Sequence, residues 1–198
     1  MNRLPRFWLA FAIAVVWSAP AVVRAAEKPA ARQDGKKVRL AWFPKFSPDG
    51  KWLLTAQGSW VEKEGGEVRV WHAETGEPKV AVYTDRGVRT VAWAPSGKFF
   101  VSGDYGGAID FYDAATGQRT AEMNVPKNVE VLLVSPDETK LVAAAGDGSV
   151  RVYELPSRKE IHVWKQLHQG GIWGMALSPD GKRLCTAGQD DVAHVLDM

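Results

Sequence analysis

Val88-Arg89-Thr90-Val91-Ala92-Trp93-Ala94-Pro95-Ser96-Gly97-Lys98-Phe99-Phe100-Val101, continued by Ser102-Gly103-Asp104-Tyr105-Gly106-Gly107 and Ala108-Ile109-Asp110-Phe111-Tyr112-Asp113, decides the fold. Val88, Val91 and Trp93 set apolar residues along a first strand. Pro95 suits the second position of a turn, where φ is already near its fixed value, and Gly97 takes the positive φ that closes the hairpin. Phe99, Phe100 and Val101 make a second strand. The glycine-rich stretch from Ser102 to Gly107 turns the chain into a third, Ala108 to Asp113. Ala114-Ala115-Thr116-Gly117 reverses it again, and Arg119 to Met123 supplies a fourth.

The same phrase returns four times. Its turns are Ser47-Pro48-Asp49-Gly50, Ala94-Pro95-Ser96-Gly97, Ser135-Pro136-Asp137-Glu138 and Ser178-Pro179-Asp180-Gly181, with prolines 47, 41 and 43 residues apart. The bulky third-strand positions Trp71, Tyr112, Tyr153 and Leu196 follow at 41, 41 and 43. A period near 40 residues with four strands per repeat predicts an all-β chain folded as a β-propeller. One such sheet has two apolar faces and buries them only by stacking on its neighbours. The longer first interval comes from Ser59 to Glu67, extra residues in the hairpin between the second and third strands.

The ends carry a different message. Arg3 and Arg6 precede an apolar run from Phe7 to Trp17, Pro20 breaks it, and Val23 and Ala25 occupy the −3 and −1 positions of a cleavage site. Residues 1–26 thus read as a secretory signal. The apolar run falls short of the roughly 20 residues of a membrane-spanning helix, so a membrane association requires that the signal stay uncleaved as an anchor. Residues 27–37 are polar, with Pro and Gly, and read as a flexible linker. Removing the signal takes three arginines and no acid, leaving 22 Lys+Arg from 25 against 23 Asp+Glu, a mature net charge of −1. No phosphate-neutralising patch remains to draw nucleic acid. Cys185, the one cysteine, permits no internal disulfide and no covalent haem attachment; on its strand it is expected to be a small buried hydrophobe.

The phrase resembles the WD40 repeat over residues 38–198, with repeats at about 38–86, 87–128, 129–167 and 168–198. The fourth repeat carries most of the pattern: His168, then Ile172-Trp173-Gly174-Met175-Ala176-Leu177-Ser178-Pro179-Asp180-Gly181, then Thr186 and Asp190. The resemblance implies a tetrad in which a His, a Ser/Thr, an Asp and a third-strand Trp lock each blade. His168, Thr186 and Asp190 match, while Leu196 replaces the Trp and cannot donate. Trp71 matches in the first repeat, Ser102 in the second and Asp147 in the third. The second has Gly106 at the Asp position and the third has Ala143 at the hydroxyl position. Apolar packing, more than the tetrad, is therefore expected to hold the blades.

Three repeats are complete, and the fourth lacks its outer strand. The chain is expected to be the leading part of a longer propeller. Two alternatives are that Lys36 to Trp42 folds back as the missing outer strand, or that copies self-associate to complete the ring. An open end would leave apolar strands uncovered.

Chemistry is sparse. His72, His162, His168 and His194 show no metal-ligand spacing, and His72 and His194 read as blade-edge residues. The glycines from Gly103 to Gly107 are followed by neither a Lys-Ser/Thr pair nor a helix, so they make a turn and not a phosphate loop. Asp104, Asp147, Asp190 and Asp191 read as turn carboxylates without a calcium-loop pattern. No catalytic residue, cofactor or metal is assigned. In the family the enlarged hairpin lies on a ligand-receiving face, and here it carries Trp60 amid Glu62, Lys63, Glu64 and Glu67. Trp60 is the candidate partner contact. The expectation is a non-enzymatic scaffold, secreted or periplasmic, that presents loops to a protein partner. The alternative is a propeller enzyme or cofactor binder of the quinoprotein or lactonase sort, which needs acids, His or Arg converging on the channel.

Overall fold

The computed structural model describes residues 40–58 and 65–198, so the secretory signal, the linker and Trp60 lie outside the described residues. Every regular element among the described residues is a strand. The first blade holds β1 (Leu40–Phe46), β2 (Trp52–Gly58), β3 (Gly66–His72) and β4 (Pro78–Thr84). The second holds β5 (Val88–Trp93), β6 (Phe99–Asp104), β7 (Ala108–Asp113) and β8 (Arg119–Asn124). The third holds β9 (Val129–Val134), β10 (Lys140–Ala145), β11 (Val150–Glu154) and β12 (Glu160–Trp164). The fourth holds β13 (Ile172–Leu177), β14 (Arg183–Gly188) and β15 (Ala193–Asp197). Each sheet is an antiparallel meander in chain order, and the innermost strands β1, β5, β9 and β13 follow one another in space.

The turn chemistry repeats with the sequence. Ser47, Ser135 and Ser178 each donate a hydroxyl to the Asp two residues on, at 2.6 Å. Each also accepts the amide that opens the next strand, at 2.9 Å. The serine bond, helped by a backbone amide, holds the carboxyls of Asp49 and Asp180 below the usual range and that of Asp137 at about 2. Ala94 has no hydroxyl; that turn closes through Gly97 N–H to the Ala94 carbonyl at 2.9 Å and Ala94 N–H to the Phe99 carbonyl at 3.1 Å, with Ser96 Oγ accepting the Lys98 amide at 3.3 Å. Gly97 sits at φ 69, while Glu138 takes the same left-handed place at φ 56 in the third turn.

Three apolar layers hold the blades together, one at each boundary. Leu54, Val68 and Val70 meet Val91, Phe100 and Tyr112 between the first and second blades. Val101, Ile109 and Phe111 meet Leu132, Leu141 and Tyr153 between the second and third. Val142, Ala144 and Val150 meet Ile172 and Leu184 between the third and fourth. Burying one such large side chain contributes about 1.5–3 kcal/mol. The blades approach closely enough that a Cβ on Gly103 would fall 2.5 Å from Val129 Cγ1.

Three expectations are corrected. Lys36 to Trp42 does not supply an outer strand to the fourth blade as far as it is described: Leu40 to Trp42 pair with Ala56 to Gly58 as the innermost strand of the first. Cys185 is exposed and not buried, because it lies on the face of β14 that no described sheet covers. Ala176, Ala187, Ala193 and Val195 share that exposure, with Val195 69% accessible. Glu67 is no loop charge around Trp60; it sits within β3, fully buried, ion-paired to Arg69. The Glu67 Oε2 and Arg69 Nη2 atoms have no hydrogen-bond partner among the described residues.

Candidate interaction surface

The start of each of the last three innermost strands carries a β-bulge. Register shifts fall between Val88 and Thr90, between the β9 residues Val129 and Val131, and between Ile172 and Gly174. A bulge inserts one residue and re-aims its side chain out of the strand's alternation. The inserted residues are Arg89, Glu130 and Trp173, at equivalent places in consecutive blades. Their neighbours Val88, Val129 and Ile172 stay buried in the blade interfaces. A rim of one cation, one anion and one indole results.

The rim is built as a network. Arg89 Nε donates to Glu130 Oε2 at 2.7 Å, and Arg89 Nη2 makes a second, close contact with the same oxygen. Asn128 Nδ2 donates to the other oxygen, Oε1, at 2.7 Å. Arg89 Nη1 donates to the Tyr105 hydroxyl at 3.3 Å, with the guanidinium 5.4 Å over the ring. Burial opposes the arginine's charge, but Glu130 more than offsets it and holds the Arg89 pKa above its ordinary value. The side chains are 19% and 7% exposed, so the pair is largely withdrawn from water. Trp173 is the opposite: 66% exposed, with its indole N 3.5 Å from where a Gly171 Cβ would lie and Glu130 Oε1 3.7 Å from the same point.

Beside the rim, His168 fastens the fourth blade. Its Nε2 meets Thr186 Oγ1 and its Nδ1 meets Asp190 Oδ1, each at 2.8 Å. Asp190 also accepts the Gln169 and Val192 amides. The His168 contact, with those amides, holds the Asp190 carboxyl at about 2. Leu196 faces the interface with the third blade, and His194, on β15 at the edge of the described sheet, packs its ring edge-on to His168 with centroids 4.9 Å apart.

The other tetrad positions are scattered. Trp71 Nε1 donates to Thr55 Oγ1 at 2.9 Å. Thr55 escaped the sequence reading although it lies seven residues after Pro48, as Ser102 and Thr186 do after Pro95 and Pro179. Ser102 is buried under Tyr112; burial and the Asp110 carboxylate push that phenol far above its ordinary pKa, which the Ser102 hydrogen bond only partly offsets. Asp147 is a turn carboxylate that accepts the Ser149 amide and hydroxyl and pairs with Arg151. Asp104 likewise accepts the Gly106 and Ala108 amides, at 2.8 Å each. Arg89, Glu130 and Trp173 were legible only as a recurring position, since their chemistry differs in every repeat.

Comparison with known proteins agrees with this geometry. The family description WD domain, G-beta repeat matches residues 78–113, 122–154 and 158–197, more than half of the chain. Transducin beta-like protein 3 from Bos taurus is 27% identical over 161 residues, 77% of this chain and 19% of that protein. Serine-threonine kinase receptor-associated protein from Gallus gallus is 26% identical over 145 residues, 73% of this chain and 39% of that one. Target of rapamycin complex subunit wat1 from Schizosaccharomyces pombe is 33% identical over 101 residues, 50% of this chain and 32% of that one. The chain thus spans less than half the length of these relatives. With the repeats matched in sequence and their four sheets stacked blade on blade, the chain belongs to the WD40 repeat family.

Proposed function

We propose that the chain is a non-enzymatic protein-interaction scaffold, exported by its first 26 residues to a periplasmic or extracellular location. The observation that carries the interaction reading is the row of bulges that brings Arg89, Glu130 and Trp173 to one rim, with Trp173 two-thirds exposed beside a rigid charge pair. An exposed aromatic next to a fixed polar network is the composition of an interface hot spot. β2 ends at Gly58 and β3 begins at Gly66, and the backbones of both abut Gly87 and Val88, directly before Arg89. Trp60, between these two strands in sequence, is proposed as a further partner contact. Two relatives bear names of the same tenor, a receptor-associated protein and a complex subunit.

The test compares proteins captured by the wild-type chain with those captured by Trp173→Ser, Trp60→Ala and, as a control on the outer strand β12, Ile161→Ser. The rim variants should lose a discrete set of partners that the control retains, with thermal stability unchanged in all. Loss of the same partners by the control, or retention by both rim variants, refutes the reading. Amino-terminal sequencing of the exported protein tests the signal: a mature chain starting near Glu27 supports it, and an intact Met1 in the cytoplasmic fraction refutes it.

A further inference from the structure

The rim holds a notch of defined polarity. Its floor is Gly170–Gly171, bare of side chains, with Gly170 at φ 126, a value that favours glycine. The point that a Cβ on Gly171 would occupy lies 3.5 Å from Trp173 Nε1 and 3.7 Å from both Trp173 Cδ1 and Glu130 Oε1. One wall is therefore the N–H side of the indole and the other is a carboxylate oxygen, within about 7 Å of each other.

Each wall has a hydrogen bond still to make. The indole N–H is a donor only, and it has no acceptor among the described residues. Glu130 Oε1 accepts from Asn128 Nδ2 at 2.7 Å, and a carboxylate oxygen has a second lone pair for another donor. Arg89 neutralises Glu130 through the other oxygen, and together with Asn128 it fixes the carboxylate in place. A carboxylate entering the notch would face Glu130. An ammonium would leave the indole N–H unmatched and would meet a charge already balanced by Arg89. A group that accepts from Trp173 and donates to Glu130 matches both walls. A primary carboxamide carries its C=O and one N–H along the same edge, whereas a trans peptide group carries them on opposite edges. Both walls stand beside one point of the floor, so the same-edge arrangement is the one that fits. Building on the reading of the rim as a partner contact, we propose that it takes the side-chain carboxamide of an Asn or Gln on the protein partner. The carbonyl accepts the Trp173 N–H, and the amide N–H donates to Glu130 Oε1 over the glycine floor.

The test titrates the full chain with benzamide, N-methylbenzamide, benzoate and benzylamine in ¹H–¹⁵N correlation spectra. Benzamide should give saturable shifts at the Trp173 indole N–H and the Gly170–Ile172 amides. The other three should bind about five-fold more weakly, the ratio that one matched hydrogen bond supports. Trp173→Phe keeps an aromatic wall without the N–H and should bring benzamide down to N-methylbenzamide, read at the same backbone amides. Gly171→Ala sets a methyl in the notch at ordinary contact distances, so the fold stays and benzamide should weaken about ten-fold as both bonds are pushed out of reach. The absence of saturable shifts, equal binding by any of the other three probes, or a benzamide preference that survives either substitution overturns the proposal. Partner capture separates it from the contact reading itself. Loss of partners on Trp173→Ser but not on Trp173→Phe or Gly171→Ala keeps the contact surface and overturns the carboxamide. Retention by both Trp173→Ser and Trp60→Ala removes the contact surface, and the Asn or Gln partner with it.

Discussion

Replacing Arg89 by Met would leave Glu130 in place without its cation. The Glu130 side chain is 7% exposed, and its remaining side-chain partner is Asn128 at 2.7 Å. Removing one member of a buried ion pair costs about 3–5 kcal/mol, because the other charge stays desolvated. Arg89 is 19% exposed and Asn128 is retained, so the expected loss is smaller, about 2–3 kcal/mol. Urea denaturation followed by far-UV circular dichroism reads this directly. With a slope of about 2 kcal/mol/M, the midpoint falls by about 1–1.5 M at unchanged slope. The double variant Arg89→Met/Glu130→Leu removes both charges at similar volume and should recover to within about 1 kcal/mol of wild type. A single-variant loss under about 0.5 kcal/mol would show that water solvates Glu130 after all. A double-variant loss equal to the sum of the singles would show that the two residues act independently. Either result removes the rigid pair from the rim.

Two further outcomes follow from the fourth blade. Asp190 has its carboxyl held at about 2 against an ordinary 3.8, so its contribution to stability is full above about pH 4 and is lost as pH falls through 2. The melting temperature of Asp190→Asn should therefore lie below wild type at neutral pH and converge on it near pH 2; a gap that persists there refutes the His168–Asp190 contact as its source. Cys185 should react with a thiol reagent in the folded chain at a rate close to that in urea. Protection until unfolding would place another sheet or partner on that face.

The sequence told most where a residue type was forced by geometry. Pro48, Pro95, Pro136 and Pro179 marked the turns because proline and a small or left-handed follower leave the backbone few choices. The alternation after each turn located β2, β6, β10 and β14. The His168–Thr186–Asp190 contacts were legible because all three types stand at the family's spacing. What could not be read was burial that depends on a neighbour. Cys185 has the composition of a core residue and sits on an uncovered face. Glu67 has the composition of a loop residue and sits in a core, since Arg69 two positions along the same strand neutralises it. Single-strand patterning carries no information about which sheet arrives on which side.

The bulges explain how the same fold carries variable chemistry without loss of its core. At the buried position next to each bulge the chain holds Val88, Val129 and Ile172, all β-branched and at most 1% exposed. At the inserted position it holds Arg, Glu and Trp, with no shared size, charge or polarity. An ordinary strand residue at that place would point into one blade interface or the other and would be restricted to apolar types. The extra residue escapes that restriction because the bulge takes it out of the alternation. Thr186 and Leu196 show the reverse case: they stay in register, and there the fourth blade accepts an apolar residue for the tetrad's indole while keeping the hydroxyl that His168 needs. Arg89 and Glu130 have spent their freedom on each other, locking two blades across their boundary. Trp173 has no such partner across a described boundary and stands 66% exposed, free of the restriction that the blade interfaces impose on Val88, Val129 and Ile172.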